Sequence, residues 1–286
     1  HRRARVDGYE RVSGAAVYPS DVILPNMLYG AILRCPHPHA EVRSIDTSEA
    51  EKMAGVRAVI TGSSPGCDVD WRYGGGVTTK LFDRHCRHEG EVVAAVAADT
   101  PHQARDALRA IQVDYHELPF IVDEFDALSD DAAKVWPDGN RVSEPRTSER
   151  GDVVSGFEAA DVVLEEEFRC FCEVHNPIEA HGCVARWDGD RLSVWESTQG
   201  VYAVERTLAQ TLDLPLSKVR VIGHYVGGGF GAKLQAGKYT VIASLLARQT
   251  ARPVKLFLSR EECQLAVGNR PAAKMRIKAG VTRDGK

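Results

Sequence analysis

Residues 91–111 read EVVAAVAADTPHQARDALRAI, and this stretch decides the fold class. Its first eight residues are an almost unbroken apolar run of strand length, the pattern of a strand covered on both faces. Thr100 then offers an N-cap and Pro101 a first-turn proline, so a helix is expected to start there. Ala104, Ala107, Leu108 and Ile111 follow at i, i+3, i+4 and i+7 and give that helix one apolar face. A buried strand running straight into an amphipathic helix predicts helices packed on a sheet.

Toward the N-terminus, residues 18–60 read as short strands with turns. Residues 27–33 are apolar, Pro36 and Pro38 interrupt them, and GVRAVI at 55–60 resumes the pattern. Toward the C-terminus, residues 112–115 form another short strand before Leu118-Pro119. From 123 to 161 apolar periodicity fades while Asp, Ser, Glu, Pro and Gly accumulate, as expected of a linker. Beyond it come strands near 162–172 and 192–195, a helix carrying Val201, Val204, Leu208 and Leu212, a strand at 219–222, a glycine loop at 227–233 and a helix over 239–247. The alternation predicts an α+β chain with one domain over 1–122, a linker over 123–160 and a second domain over 161–286. The final MRIKAGVTRDGK is a strand-like run that stops at an Asp-Gly turn signal with nothing to pair after it. Both ends read as those of a fragment or a split subunit.

With 286 residues, 43% of them hydrophobic, the chain can bury a large core. Lys and Arg number 36 against 40 Asp and Glu, a net charge of -4, which gives no electrostatic footprint for nucleic acid or an anionic membrane. A small-molecule substrate is expected instead. No apolar run reaches 18 residues. Seven cysteines are an odd set in a chain too long to need a disulfide framework, so reduced thiols and a cytoplasmic location are expected.

Gly227-Gly228-Gly229-Phe230-Gly231-Ala232-Lys233 lies between a strand and a helix, where glycine lets backbone N–H groups approach an anionic or oxo-bearing ligand. It is not a Walker loop, because Ala232 separates Gly231 from Lys233 and Leu234 follows. As a dinucleotide fingerprint it lacks the acid about twenty residues on. Cys170, Cys172, His175, His181 and Cys183 crowd together without a second pair to close a tetrahedral zinc set, and His85, Cys86 and His88 fare no better. No iron-sulfur cysteine run is present, so any electrons must leave through another chain or domain. Glu173 and Glu179 flank His175 as candidate bases.

At this point the residues resemble a known family. GYERVSGAAVY at 8–18, LPNML at 24–28, PHPHA at 36–40, GVRAV at 55–59, GEVVAAVAA at 90–98 and VDYHELP at 113–119 resemble the hammerhead domain that opens the large subunits of molybdenum hydroxylases. After the linker, HNPIE at 175–179, Ser197-Thr198-Gln199, Gly227 to Lys233 and RPVK at 252–255 follow in that family's order. The resemblance to the xanthine dehydrogenase and aldehyde oxidase family covers nearly the whole chain. It implies a hammerhead-like mixed α/β domain followed by the first portion of a molybdopterin-binding α/β domain.

It also implies an activity: oxidative hydroxylation of an aldehyde or N-heteroaromatic carbon, with oxygen from water. Electrons then pass to 2Fe-2S centres and FAD on partner chains or domains. By resemblance, Gln199 stands beside the molybdenum oxo ligand, and Gly228, Gly229, Phe230 and Gly231 bind the molybdopterin cofactor. Leu234 occupies the position held by a substrate-binding glutamate in purine-oxidising members, which counts against xanthine. The family's catalytic glutamate and most pterin contacts lie much further toward the C-terminus of its subunits, so the remaining part of the molybdopterin domain is an expected partner, together with iron-sulfur and FAD subunits. Two alternative readings are a non-catalytic assembly fragment and a relative that reductively removes a phenolic hydroxyl from an aromatic acyl-CoA. For Gln199 alone, the plain alternative is a helix cap or surface amide.

Overall fold

The computed structural model describes residues 4–72 and 77–286; residues 1–3, at the start of the expected first domain, lie outside the described residues. In chain order the strands are β1 (Leu28–Arg34), β2 (Ala40–Asp46), β3 (Val56–Ile60), β4 (Asp70–Arg72), β5 (Thr78–Lys80), β6 (His85–Cys86), β7 (Val92–Ala98), β8 (Gln112–Glu117), β9 (Val162–Cys170), β10 (Gly182–Asp188), β11 (Arg191–Glu196), β12 (Val219–Ile222), β13 (Val254–Phe257) and β14 (Ala273–Val281). The helices are α1 (Gly8–Ser13), α2 (Ser48–Lys52), α3 (Pro101–Ala110), α4 (Val153–Glu158), α5 (Val201–Thr211), α6 (Lys238–Thr250) and α7 (Arg260–Leu265). The chain divides into two compact units, His1–Phe120 with His175–Gly268, and Ile121–Val174 with Asn269–Lys286.

The larger unit is built on a seven-stranded mixed sheet ordered β12-β11-β10-β13-β1-β7-β3. Every residue of β7 is buried. Its side chains alternate: Ala95 and Ala97 join the core cluster that includes Val241, Ile242 and Leu245 of α6, while Ala94 and Val96 join Ala107 and Ile111 from α3 and its end. The expected buried strand is thus the wall between two helical layers. Thr100 Oγ1 accepts from Gln103 N–H at 3.2 Å and starts α3 where the sequence places it. Nine consecutive residues of α6, from Tyr239 to Ala247, are buried, so this helix is covered all round and not on one stripe.

The two compact units do not follow chain order, whereas the expected domains over 1–122 and 161–286 do. The sheet joins strands from both sides of the stretch between them: β13 pairs parallel to β1, Leu28 opposite Val254, and antiparallel to β10, Cys183 opposite Leu256. Residues 123–160 carry little regular structure besides one 3-10 turn and α4. They group with β9 and β14, which form a nine-pair antiparallel ribbon from Val162 opposite Val281 to Cys170 opposite Ala273. The C-terminal run that lacked a following partner pairs backward, across more than a hundred residues, with β9. Within this second unit the Arg169 guanidinium lies over the rings of Phe125 at 4.8 Å and Phe171 at 5.4 Å and bonds Asp123 Oδ2 at 3.1 Å. Among the described residues, no helix is long and apolar enough to cross a membrane.

Candidate functional site

Two neighbouring parallel strands build the site. β11 and β12 run side by side, Val194 opposite Val221 and Trp195 opposite Ile222, so the loops that leave their C-terminal ends emerge together. From β11 the chain passes through Ser197, Thr198, Gln199 and Gly200 into α5. From β12 it passes through Gly223 into the glycine loop. A Cβ on Gly223 would sit 3.1 Å from the Glu196 carbonyl oxygen, which keeps the two exits close.

Gln199 and the loop are locked to each other. The Gln199 N–H donates to the Lys233 carbonyl at 2.8 Å, and Thr198 Oγ1 donates to the same oxygen at 2.9 Å. Gln199 Oε1 accepts from the N–H of Gly231 at 3.0 Å and of Lys233 at 3.3 Å. With the amide oxygen fixed by two donors, its NH2 group is left with no hydrogen-bond partner among the described residues. Gly229 packs so tightly here that a Cβ would fall 2.3 Å from Gln199 Oε1.

Between its anchored ends the loop coils through left-handed backbone at Gly228 (φ 96°), Phe230 (φ 51°) and Gly231 (φ 95°). A non-glycine residue in that region costs about 1 kcal/mol or more, so Phe230 is held there by its surroundings. The N–H groups of Gly228, Gly229 and Phe230 donate to nothing among the described residues. Leu234 is half-exposed, and its carbonyl oxygen lies 3.0 Å from where a Gly200 Cβ would be, so it borders the same corner. The structure therefore brings together all six sequence-selected positions: Gln199, Gly228, Gly229, Phe230, Gly231 and Leu234. It separates one expected feature from them. Helix α6 starts at Lys238 after Gly237, so the loop presents its own N–H groups and not the terminus of that helix.

Beneath the loop lie charged groups whose role the sequence does not reveal. Lys233 is fully buried and paired with Glu179, whose side chain is 7% exposed. Glu179, a candidate base in the sequence, is thus occupied by internal partners. Burial lowers the Lys233 pKa while the Glu179 carboxylate opposes that shift. Glu196, at the end of β11, is fully buried and accepts on Oε1 from Tyr239 Oη at 3.1 Å and Thr240 Oγ1 at 2.9 Å. Burial pushes its carboxyl up to about 8, so it is largely protonated at neutral pH. His181 is 1% exposed, and burial followed by the nearby Lys233 ammonium pushes its pKa down to about 4. The sequence singles out Glu179 as a candidate base, His181 as a candidate ligand and Lys233 as the end of the glycine motif, but carries no sign that they are buried together, and Glu196 stands out in no motif.

The donor set fits a cofactor that carries oxo groups or phosphate. It consists of backbone N–H groups and one amide NH2, on a surface where at Gly229 no side chain can be accommodated. The nearby carboxylate of Glu179 is neutralised by its lysine and does not oppose an anionic ligand.

Comparison with known proteins points the same way. Residues 13–119 match the family described as the aldehyde oxidase and xanthine dehydrogenase a/b hammerhead domain, and residues 136–286 match the molybdopterin cofactor-binding domain. The chain is 37% identical to a probable xanthine dehydrogenase subunit of Bacillus subtilis, over 99% of its own length and 38% of that protein. It is 35% identical to the nicotinate dehydrogenase large molybdopterin subunit of Eubacterium barkeri, over 99% of its own length and 67% of that chain. Among solved structures, the reconstituted CO dehydrogenase of Oligotropha carboxidovorans superposes with a TM-score of 0.88 at 30% identity, covering 99% of this chain and 37% of that one. The chain therefore belongs to the xanthine dehydrogenase and aldehyde oxidoreductase family of molybdenum hydroxylases, and corresponds to the hammerhead and first molybdopterin-binding regions of the large subunit.

Proposed function

We propose that this chain forms part of the cofactor site of an enzyme that hydroxylates an aldehyde or N-heteroaromatic carbon. The observation that carries the proposal is the set of donors without a partner among the described residues, the Gln199 NH2 and the N–H groups of Gly228, Gly229 and Phe230, on the two loops that leave neighbouring parallel strand ends. The molybdenum–molybdopterin cofactor, when bound, supplies the redox chemistry that takes oxygen from water and yields two electrons. The part played by this chain is orientation and electrostatics. With the cofactor in place, the Gln199 NH2 and the N–H groups of Gly228, Gly229 and Phe230 would be the residues that hold its oxo-bearing face, and they would do so without reorganising, because the loop is already held at both ends. Phe230 and Leu234, exposed at 71% and 52%, present apolar surface to a planar substrate.

In this reading electrons would leave through 2Fe-2S and FAD groups on partner chains or domains, and the catalytic base would come from a part of the large subunit outside these residues. The same reading carries a cytoplasmic location with the seven cysteines as reduced thiols. Metal and pterin analysis of the purified complex tests the proposal. Molybdenum in stoichiometric amount is the expected result, and its absence from the whole assembly would overturn the enzymatic reading.

A further inference from the structure

The buried pair under the glycine loop is connected to both of that loop's ends. Lys233 Nζ donates to the Glu179 carbonyl oxygen at 2.7 Å and to Ser197 Oγ at 2.6 Å. Ser197 Oγ donates in turn to Glu179 Oε2 at 2.7 Å, and that oxygen also accepts the Gly227 N–H at 2.7 Å. The Glu179 N–H returns a bond to the Gly227 carbonyl at 3.1 Å. Gly227, where the loop begins, is thus held by the backbone and side chain of one residue. Lys233, where the loop ends, is held through its backbone by Thr198 and Gln199 and through its ammonium by Ser197 and Glu179.

A buried ion pair is a poor device for stability, since apolar residues of similar size serve as well or better. Its worth lies in fixing geometry, and here the geometry is confined. A Cβ on Gly227 would fall 2.4 Å from the Glu179 Cβ, so the approach tolerates no side chain. Glu179 Oε1 is buried and has no hydrogen-bond partner among the described residues, whereas Oε2 accepts from Ser197 and Gly227 and orients the carboxylate. The three loop residues with free N–H groups lie between the two anchored ends.

We propose that Glu179, Ser197 and Lys233 form a latch that closes the glycine loop on itself and presets the donors of Gly228, Gly229, Phe230 and Gln199 toward the cofactor. They are positioning residues and none of them touches substrate. The inference rests on the loop being the cofactor site, but the latch itself is judged by a measurement that needs no turnover.

The experiment compares wild type with Ser197→Ala, Lys233→Met and the double variant Glu179→Gln/Lys233→Met in the assembled enzyme. Three properties are read: amide hydrogen exchange over residues 227–233, molybdenum retained per chain after gel filtration, and the line shape of the Mo(V) electron paramagnetic resonance signal. Ser197→Ala, which keeps both charges, is expected to speed exchange at Gly227 and Lys233 at least tenfold while amides of β10 and α6 stay within twofold. Molybdenum retention should fall and the resonance broaden. The double variant should recover melting temperature, because no charge is stranded, without recovering loop protection or retention. Wild-type loop exchange and wild-type retention in the double variant would overturn the latch, leaving an ordinary buried pair. Should Lys233→Met fail to fold, Ser197→Ala still decides. A wild-type complex without molybdenum would defeat the proposed function, whereas unchanged loop exchange in Ser197→Ala would defeat only the latch.

Discussion

Gln199 shows what one amide can do when its two ends are separated. The sequence offers a structural cap and a cofactor donor as competing roles, but the carbonyl end is committed to the N–H groups of Gly231 and Lys233, and the NH2 end is left free. Removal and replacement therefore give different outcomes. Gln199→Ala strands two loop N–H groups and opens space under Gly229, so the loop loses about 1 kcal/mol for each lost bond and the melting temperature falls along with activity. Gln199→Glu keeps an acceptor for both N–H groups, loses the donor and adds a negative charge beside the loop. Its melting temperature should stay close to wild type while turnover per bound molybdenum drops about a hundredfold, roughly 3 kcal/mol in the barrier. Wild-type turnover per metal in Gln199→Glu would show that the NH2 group does not act on the reaction.

At the scale of elements, Glu196 couples the end of β11 to the first turn of α6 through Tyr239 and Thr240, and it makes the pair sensitive to pH. Its carboxyl holds a proton up to about pH 8 in the fold against 4.5 ordinarily, so the stability it contributes is complete below 4.5 and is lost as pH rises toward 8. His181 has the opposite sign: lowered from 6.5 to about 4, it contributes above 6.5 and loses that contribution as pH falls toward 4. The two oppose each other between 4.5 and 6.5, and above 6.5 Glu196 acts without His181. Between pH 6.5 and 8 the protein should lose roughly 2 kcal/mol through this carboxyl, and Glu196→Gln should lose none of it, as read from urea midpoints across that interval. An identical slope in the variant would mean that the buried carboxyl is already ionised at pH 6.5. Elements of this kind differ in how far the sequence reveals them. β7 and α3 are legible because their signals are local: a continuous apolar run, a Thr-Pro start and one apolar helical face. β13 is not, since four residues with a lysine among them become a central strand only by pairing with β1 and β10, far away in the chain. The partner of β14 is hidden for the same reason, and so is the latch, because Glu179 and Lys233 meet only once β11 and β12 lie parallel.

For the whole molecule, the family is legible in a handful of motifs, and so are the residues of the corner proposed for the cofactor, whereas the substrate depends on what that corner shows to solvent. A net charge of -4 spread over 286 residues gives no long-range steering for a particular substrate charge, so selection falls to the local surface. That surface is apolar at Leu234 and Phe230, and Leu234 stands directly after the latch lysine, on the border of the Gln199–Gly200 turn. A purine would bring a ring nitrogen or carbonyl against leucine in place of a polar partner. An unmatched hydrogen-bonding edge that becomes buried on binding costs roughly 1 to 3 kcal/mol, about tenfold to a hundredfold in affinity. A less polar N-heteroaromatic or an aromatic aldehyde carries no such edge and gains from the apolar contact. The complete enzyme is therefore expected to show a lower kcat/KM for xanthine than for substrates of that kind. Leu234→Glu should narrow the gap by improving xanthine and impairing the apolar competitor, with molybdenum content unchanged. Steady-state kinetics on a panel of both classes checks this, and a higher kcat/KM for xanthine than for every less polar competitor would show that the purine edge is satisfied by residues elsewhere in the large subunit.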